Sequence, residues 1–152
     1  MKKLSQKESL ELAASTLQKN GALKENALPL ALGIIDAENQ GIKSHGFHYL
    51  PIYCLHLKCN KVKGSANPKL HVISNVAFKV DADNGFAHRA ISLGVEKLIP
   101  SAEENGISFC IPRDIALCAN PLSASTLNAT LEIALSLGLA LPLTLLHFKC
   151  KQ

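Results

Sequence analysis

Apolar residues near the start of the chain recur three and four positions apart, with Leu10, Ala13, Ala14 and Leu17 marking one face of a helix. Ser5 stands ahead of that stripe and Glu8 three residues after it, the spacing at which side chain and backbone satisfy each other's first-turn groups. A helix is expected to start there and to stop at Asn20-Gly21. Leu30, Ile34 and Ile35 form a second stripe, expected over Pro29 to Gln40 because proline is tolerated in a first turn, with Gly41 closing the helix. Tyr49, Leu50, Tyr53, Cys54 and Leu57 predict a third helix, reaching about Lys58.

From Asn60 to Pro68 the periodicity lapses into a loop. Leu70 to Ser74 and Val76 to Val80 are apolar and β-branched, bounded by Asn75 and Asp81, and read as a strand pair or as one bent strand. Gly85 opens a helix carrying Ala90, Leu93, Val95, Leu98 and Ile99, with Gly94 a weak point inside it. It ends at Pro100 or extends to Asn105-Gly106. Ile107 to Ile111 reads as a short strand. The order α, α, α, β, β, α, β gives an α/β (mixed α+β) fold, a helical N-terminal region feeding a partial sheet with a packed helix.

After that point the pattern changes. From Arg113 to Phe148 the charged residues are Arg113, Asp114 and Glu132, and 11 of these 36 residues are leucine. The apolar run Ile133 to Leu146 falls short of the roughly 20 residues that a membrane span needs. The chain is therefore divided into 1–111, an ordinary globular part, and 112–152, a leucine-rich tail with the composition that a reading-frame slip or another non-native continuation would leave.

Composition narrows the picture further. The 152 residues are 47% hydrophobic, enough for one core, and the net charge of +4 is mild. Lys58, Lys61, Lys63 and Lys69 are not interleaved with aromatics, so they read as a solvated face and not as a nucleic-acid surface. Five cysteines without a CxxC pair, behind a polar start at Met1-Lys2-Lys3, point to free thiols in the cytoplasm. His45, His48 and His56 share a helix face only if the helix already includes His45, against which Gly46 argues, so no metal site is expected. Asp81-Ala82-Asp83-Asn84-Gly85 fails as a calcium loop, because glycine falls at loop position five and Ser92 stands at position twelve.

The candidate chemistry lies in Ser44-His45-Gly46, a turn between two helical segments. An imidazole with a near-neutral intrinsic pKa on a backbone open to a ligand suits proton transfer to a small substrate. Taken alone, His45 also fits a plain helix cap or a solvated side chain. Ser44 fits a substrate contact, an orienting group for the ring, or a helix N-cap.

The run Ser44-His45-Gly46, then Leu50-Pro51 and Tyr53, with Asp81 to Gly85 some thirty residues later, resembles the malate/L-lactate dehydrogenase family of the non-Rossmann type, which includes ureidoglycolate and diketogulonate dehydrogenases. The likeness runs from about Leu4 to Phe109. It implies an oxidoreductase that interconverts a 2-hydroxy acid and its 2-oxo acid with NAD or NADP, as a cytoplasmic homodimer. It also implies His45 as the acid/base, with Ser44, Tyr49 and Tyr53 lining the substrate side. Tyr53 alternatively reads as a half-buried core ring with a wet hydroxyl. Tyr49 departs from the family, many of whose members carry there an arginine for the substrate carboxylate. A phenol does not reproduce that bidentate pair. None of the nine glycines makes a GxG pair, and the resemblance would put the cofactor segments largely beyond residue 110. The competing reading is a catalytically inactive fragment or a protein-interaction module that uses the tail.

Overall fold

The computed structural model describes residues 4–116. Helix α1 (Gln6–Lys19) opens with the reciprocal cap that the spacing predicts: the Glu8 amide donates to Ser5 Oγ at 3.2 Å and the Ser5 amide to Glu8 Oε2 at 2.8 Å. These bonds also hold the Glu8 carboxyl below its ordinary pKa. Helix α2 (Lys24–Asn39) begins five residues before the proline that the sequence reading placed in its first turn. Pro29 lies inside it and forgoes a bond to the carbonyl of exposed Glu25, which water can satisfy. The start is set instead by Asn26, whose buried amide donates to Gly64 O at 2.8 Å and Ala66 O at 2.9 Å.

A 3-10 turn (Phe47–Tyr49) leads into α3 (Leu50–Lys58). Strands β1 (Lys69–Val72) and β2 (Ala77–Asp81) form an antiparallel pair, which resolves the choice between two strands and one bent strand. Helix α4 (Ala87–Asn105) takes the longer of the two expected courses. Pro100 lies within it, and Ser101 Oγ anchors the far side by donating to Asn75 O at 2.7 Å. Gly106, at φ 78°, closes the helix.

Strand β3 (Phe109–Arg113) lies two residues later than expected, because its parallel register with β2 sets Ala77 opposite Phe109 and Asp81 opposite Arg113. Pro112 is accommodated in a strand at the edge of the β1-β2-β3 sheet. The strand carries across the expected division at 111, and beyond it the Ala116 amide donates to Gly85 O at 3.1 Å. The rest of the tail, 117–152, lies outside the described residues.

Two clusters make the core. Leu17, Leu30, Ile34, Leu50, Tyr53 and Leu57 join α1, α2 and α3, whereas Val80, Ala82 and Ala90 join the sheet to α4. Gly94 is no weak point here. A Cβ at that position would stand 3.1 Å from Cys110 Sγ and 3.6 Å from Val80 Cγ2, so its bareness lets α4 lie close on β2 and β3. Burial among these neighbours pushes the Cys110 thiol pKa up.

Candidate functional site

The turn that bears His45 is built by the end of α2. Gly41, at φ 74°, donates to Glu38 O at 3.0 Å and Ile42 to Ala37 O at 2.8 Å, the double closure that lets a chain leave a helix sharply. Glu38 reaches past this closure, and its Oε1 accepts from the Phe47 amide at 2.6 Å. A Cβ at Gly46 would collide with that carboxylate, so the bare residue between His45 and Phe47 is what admits the bond. Glu38 was not singled out from the sequence. Its sign there is only a carboxylate close to a turn with an unpaired amide.

His45 is half-buried, and its Nδ1 lies 2.9 Å from Ser44 Oγ. Which of the two donates depends on the imidazole tautomer. With Nδ1–H donating to the hydroxyl, Nε2 carries the free lone pair of a base. Ser44 therefore meets the histidine ring and not a helix end; the residue capping α3 is Tyr49, which makes no side-chain cap bond. The ring of Tyr49 stacks along His45 at 6.5 Å between centroids, Tyr53 meets Tyr49 edge-on at 4.9 Å, and Phe86 meets Tyr53 edge-on at 5.7 Å. Ser44, His45, Tyr49 and Tyr53 thus form one continuous row. Tyr53 is buried and belongs to the core cluster, whereas His48 is exposed.

The row ends at the start of α4, where a second histidine enters that the sequence reading passed over. The His88 ring fills the space that a Cβ on Gly33 would take, with Nε2 2.8 Å and Cδ2 2.9 Å from that point. The residue as a whole is half-buried, but its Nδ1 is fully covered and makes no hydrogen bond. Burial, together with the nearby charge of His45, pushes its pKa down to about 4, so the imidazole is neutral at physiological pH. The signal available in the sequence was its place just after the Asp81 to Gly85 segment.

Two cations are committed elsewhere. Lys63 pairs with Asp83 at 2.7 Å, which with the Asn67 amide holds the Asp83 carboxyl below its usual pKa. Arg89 donates to Asn26 Oδ1 at 3.1 Å, Ala66 O at 2.8 Å and Asn67 Oδ1 at 3.3 Å. Among the described residues, no group of three or more His, Cys, Asp or Glu side chains is placed to hold a metal ion. None of the helices there is long and apolar enough to cross a membrane.

The family model described as malate/L-lactate dehydrogenase matches residues 4–119, ten residues further than the likeness read from the sequence. The chain is 38% identical over 104 residues to the (2R)-3-sulfolactate dehydrogenase (NADP(+)) of Chromohalobacter salexigens, a match covering 68% of this chain and 31% of the relative. It is 34% identical over 129 residues to the Δ1-pyrroline-2-carboxylate reductase of Ancylobacter novellus, covering 85% and 36%. The fold superposes on the Δ1-piperideine-2-carboxylate reductase of Pseudomonas syringae pvar. tomato with a TM-score of 0.73 and 28% identity, over 76% of this chain and 35% of that one. The chain spans about a third of the length of the curated relatives it matches. With a family match over most of its length and a fold shared with a solved reductase, this chain belongs to the malate/L-lactate dehydrogenase family.

Proposed function

We propose that this chain supplies the proton-transferring side of an NAD(P)-dependent oxidoreductase acting on a small 2-hydroxy or 2-oxo acid. The observation that carries the reading is the half-buried imidazole of His45, held on one side by Ser44 and stacked on the other by Tyr49. In the oxidative direction the substrate hydroxyl gives its proton to Nε2 of His45, while the hydride on the adjacent carbon would be taken by the oxidised nicotinamide that NAD(P) supplies when bound. In the reductive direction protonated His45 returns that proton to the oxygen. Tyr49 and Tyr53 wall the substrate side, where the Tyr49 hydroxyl can orient a polar oxygen and both rings exclude water.

The cofactor of the reading is NAD or NADP, as the name of the sulfolactate relative supports. The described residues do not themselves amount to a cradle for it. Lys63 and Arg89 are engaged internally, and Gly33, Gly46 and Gly94 are taken up by close packing. The relatives named for pyrroline and piperideine carboxylates extend the substrate class to cyclic imino acids, in which His45 would protonate nitrogen instead of oxygen. A homodimer, a cytoplasmic setting and the absence of nucleic-acid or membrane partners go with this reading.

The test is NADPH- and NADH-linked turnover of the full chain with pyruvate and Δ1-pyrroline-2-carboxylate. His45→Ala is expected to lower turnover by about 10² to 10⁴. An unchanged rate in His45→Ala would overturn the assignment. A chain that binds these acids at His45 but never turns them over would favour the inactive-fragment reading.

A further inference from the structure

The turn that carries His45 is tied to α2 at both ends. At its start the Gly41 and Ile42 amides are spent on Glu38 O and Ala37 O, and within it Lys43 donates to Gly41 O and His45 to Ile42 O, each at 3.1 Å. At its end the Phe47 amide, the first of the 3-10 turn, donates to Oε1 of Glu38 at 2.6 Å across nine residues of chain. A first-turn amide of this kind is usually met by a Ser, Thr, Asp or Asn side chain at the preceding position. Gly46 holds that position and has no side chain to offer, and the Glu38 carboxylate occupies the space that any Cβ there would need. The cap is thus supplied from α2, by a residue on the far side of His45.

That bond reaches further than the amide it satisfies. Tyr49 closes the same 3-10 turn, with its own amide donating to Gly46 O at 3.0 Å and its ring stacked along His45. Where the Phe47 amide is held therefore sets where the Tyr49 ring lies relative to the imidazole. Glu38 itself bonds to a backbone amide, whereas the side-chain partner of His45 is Ser44. Its effect on the histidine is exerted through the course of the turn, and proton transfer is sensitive to displacements of that size.

We propose that Glu38 is a positioning residue for His45, its side chain holding the Phe47 amide so that the imidazole and the Tyr49 ring keep one mutual arrangement for proton transfer. This assignment rests on the oxidoreductase reading above and deepens it by naming what sets the geometry of the acid/base. The property at work is the reach of the acceptor to the amide and not the negative charge.

Two variants separate reach from charge. Glu38→Gln keeps an acceptor oxygen at the same reach and removes the charge, whereas Glu38→Asp keeps the charge and is one methylene short. The experiment compares both with the wild-type full chain, by the nuclear Overhauser contact between the His45 and Tyr49 ring protons and by steady-state turnover of Δ1-pyrroline-2-carboxylate with NADPH. Glu38→Gln is expected to keep the ring contact and most of the wild-type kcat. Glu38→Asp is expected to lose the contact and to lower kcat about 10- to 100-fold, with KM changed far less. An Asp variant that keeps both contact and kcat, or a Gln variant that loses them, would overturn the assignment while leaving the oxidoreductase reading intact. Should Glu38→Asp fail to fold, the Gln variant decides the matter by the same readouts. A wild-type chain without turnover would overturn the oxidoreductase reading, and the ring contact in the two variants would then decide by itself whether Glu38 holds the turn.

Discussion

Gly33 is the residue whose replacement tests the site most directly without touching an acid or base. A Cβ there would come within 3 Å of the His88 ring, closer than real contacts allow, so Gly33→Ala must push the imidazole out of its wedge. The expected outcome is a loss of about 1–3 kcal/mol in denaturant unfolding, accompanied by a rise of the His88 pKa from about 4 toward the ordinary histidine value as solvent reaches the ring. A His88 titration that stays near its present value in Gly33→Ala would show that contact with α2 is not what buries it. At this scale the sequence was legible where neighbours in the chain are neighbours in space. Ser44 meets His45 because they are adjacent, and Tyr49 meets Tyr53 because four residues make one helical turn. His88 and Glu38 were not legible, since the partner of the first lies on another helix and the second acts across a turn onto a backbone amide.

The elements show the same division in their two internal prolines. In both α2 and α4 the carbonyl that proline leaves unpaired belongs to an exposed glutamate, Glu25 for Pro29 and Glu96 for Pro100, and in both a side chain nearby is tied to a distant loop. Asn26 and Ser101 are those ties, bonded to the 64–66 loop and to Asn75. The helices are thus continued by contacts that more than offset the local cost of proline. Pro29→Ala restores the amide without disturbing Asn26, and it is expected to stabilise the fold by about 2 kcal/mol, the propensity gain less the extra freedom of the unfolded chain. Urea unfolding followed by circular dichroism checks this, and a destabilised Pro29→Ala would mean that the ring packs to more purpose than the missing bond costs. The Ser5 and Glu8 spacing placed the start of α1, because its cap is made within four residues, whereas Pro29 placed α2 late, because nothing near Lys24 announces a start that the 64–66 loop anchors.

For the whole molecule, the shifted groups act in one direction on acidification. His88 has a folded pKa below its unfolded value, so between about 6.5 and about 4 the unfolded chain binds more protons and stability falls as the pH falls through that window. Below it, Asp83 and Glu8, whose folded pKa values are depressed, lose their stabilising contribution as they protonate. Two successive losses are expected, the first of about 1–3 kcal/mol, and His88→Gln should abolish the first and keep the second. Unfolding free energies measured at about pH 7, 5 and 3.5 separate them, and a His88→Gln protein that still weakens between pH 7 and 5 would assign the first loss to another group. The sequence by itself determined the mixed α+β class, the capped start of α1, the turn that carries His45 and the family resemblance, because each is written in residues a few positions apart. The tertiary structure alone decided that β3 pairs parallel to β2, that the first turn of α4 comes to the His45 row, and that His88 loses its charge against Gly33. Those outcomes depend on which surfaces a folded chain buries against each other, and burial is a property of the assembled core that no local pattern of residues contains.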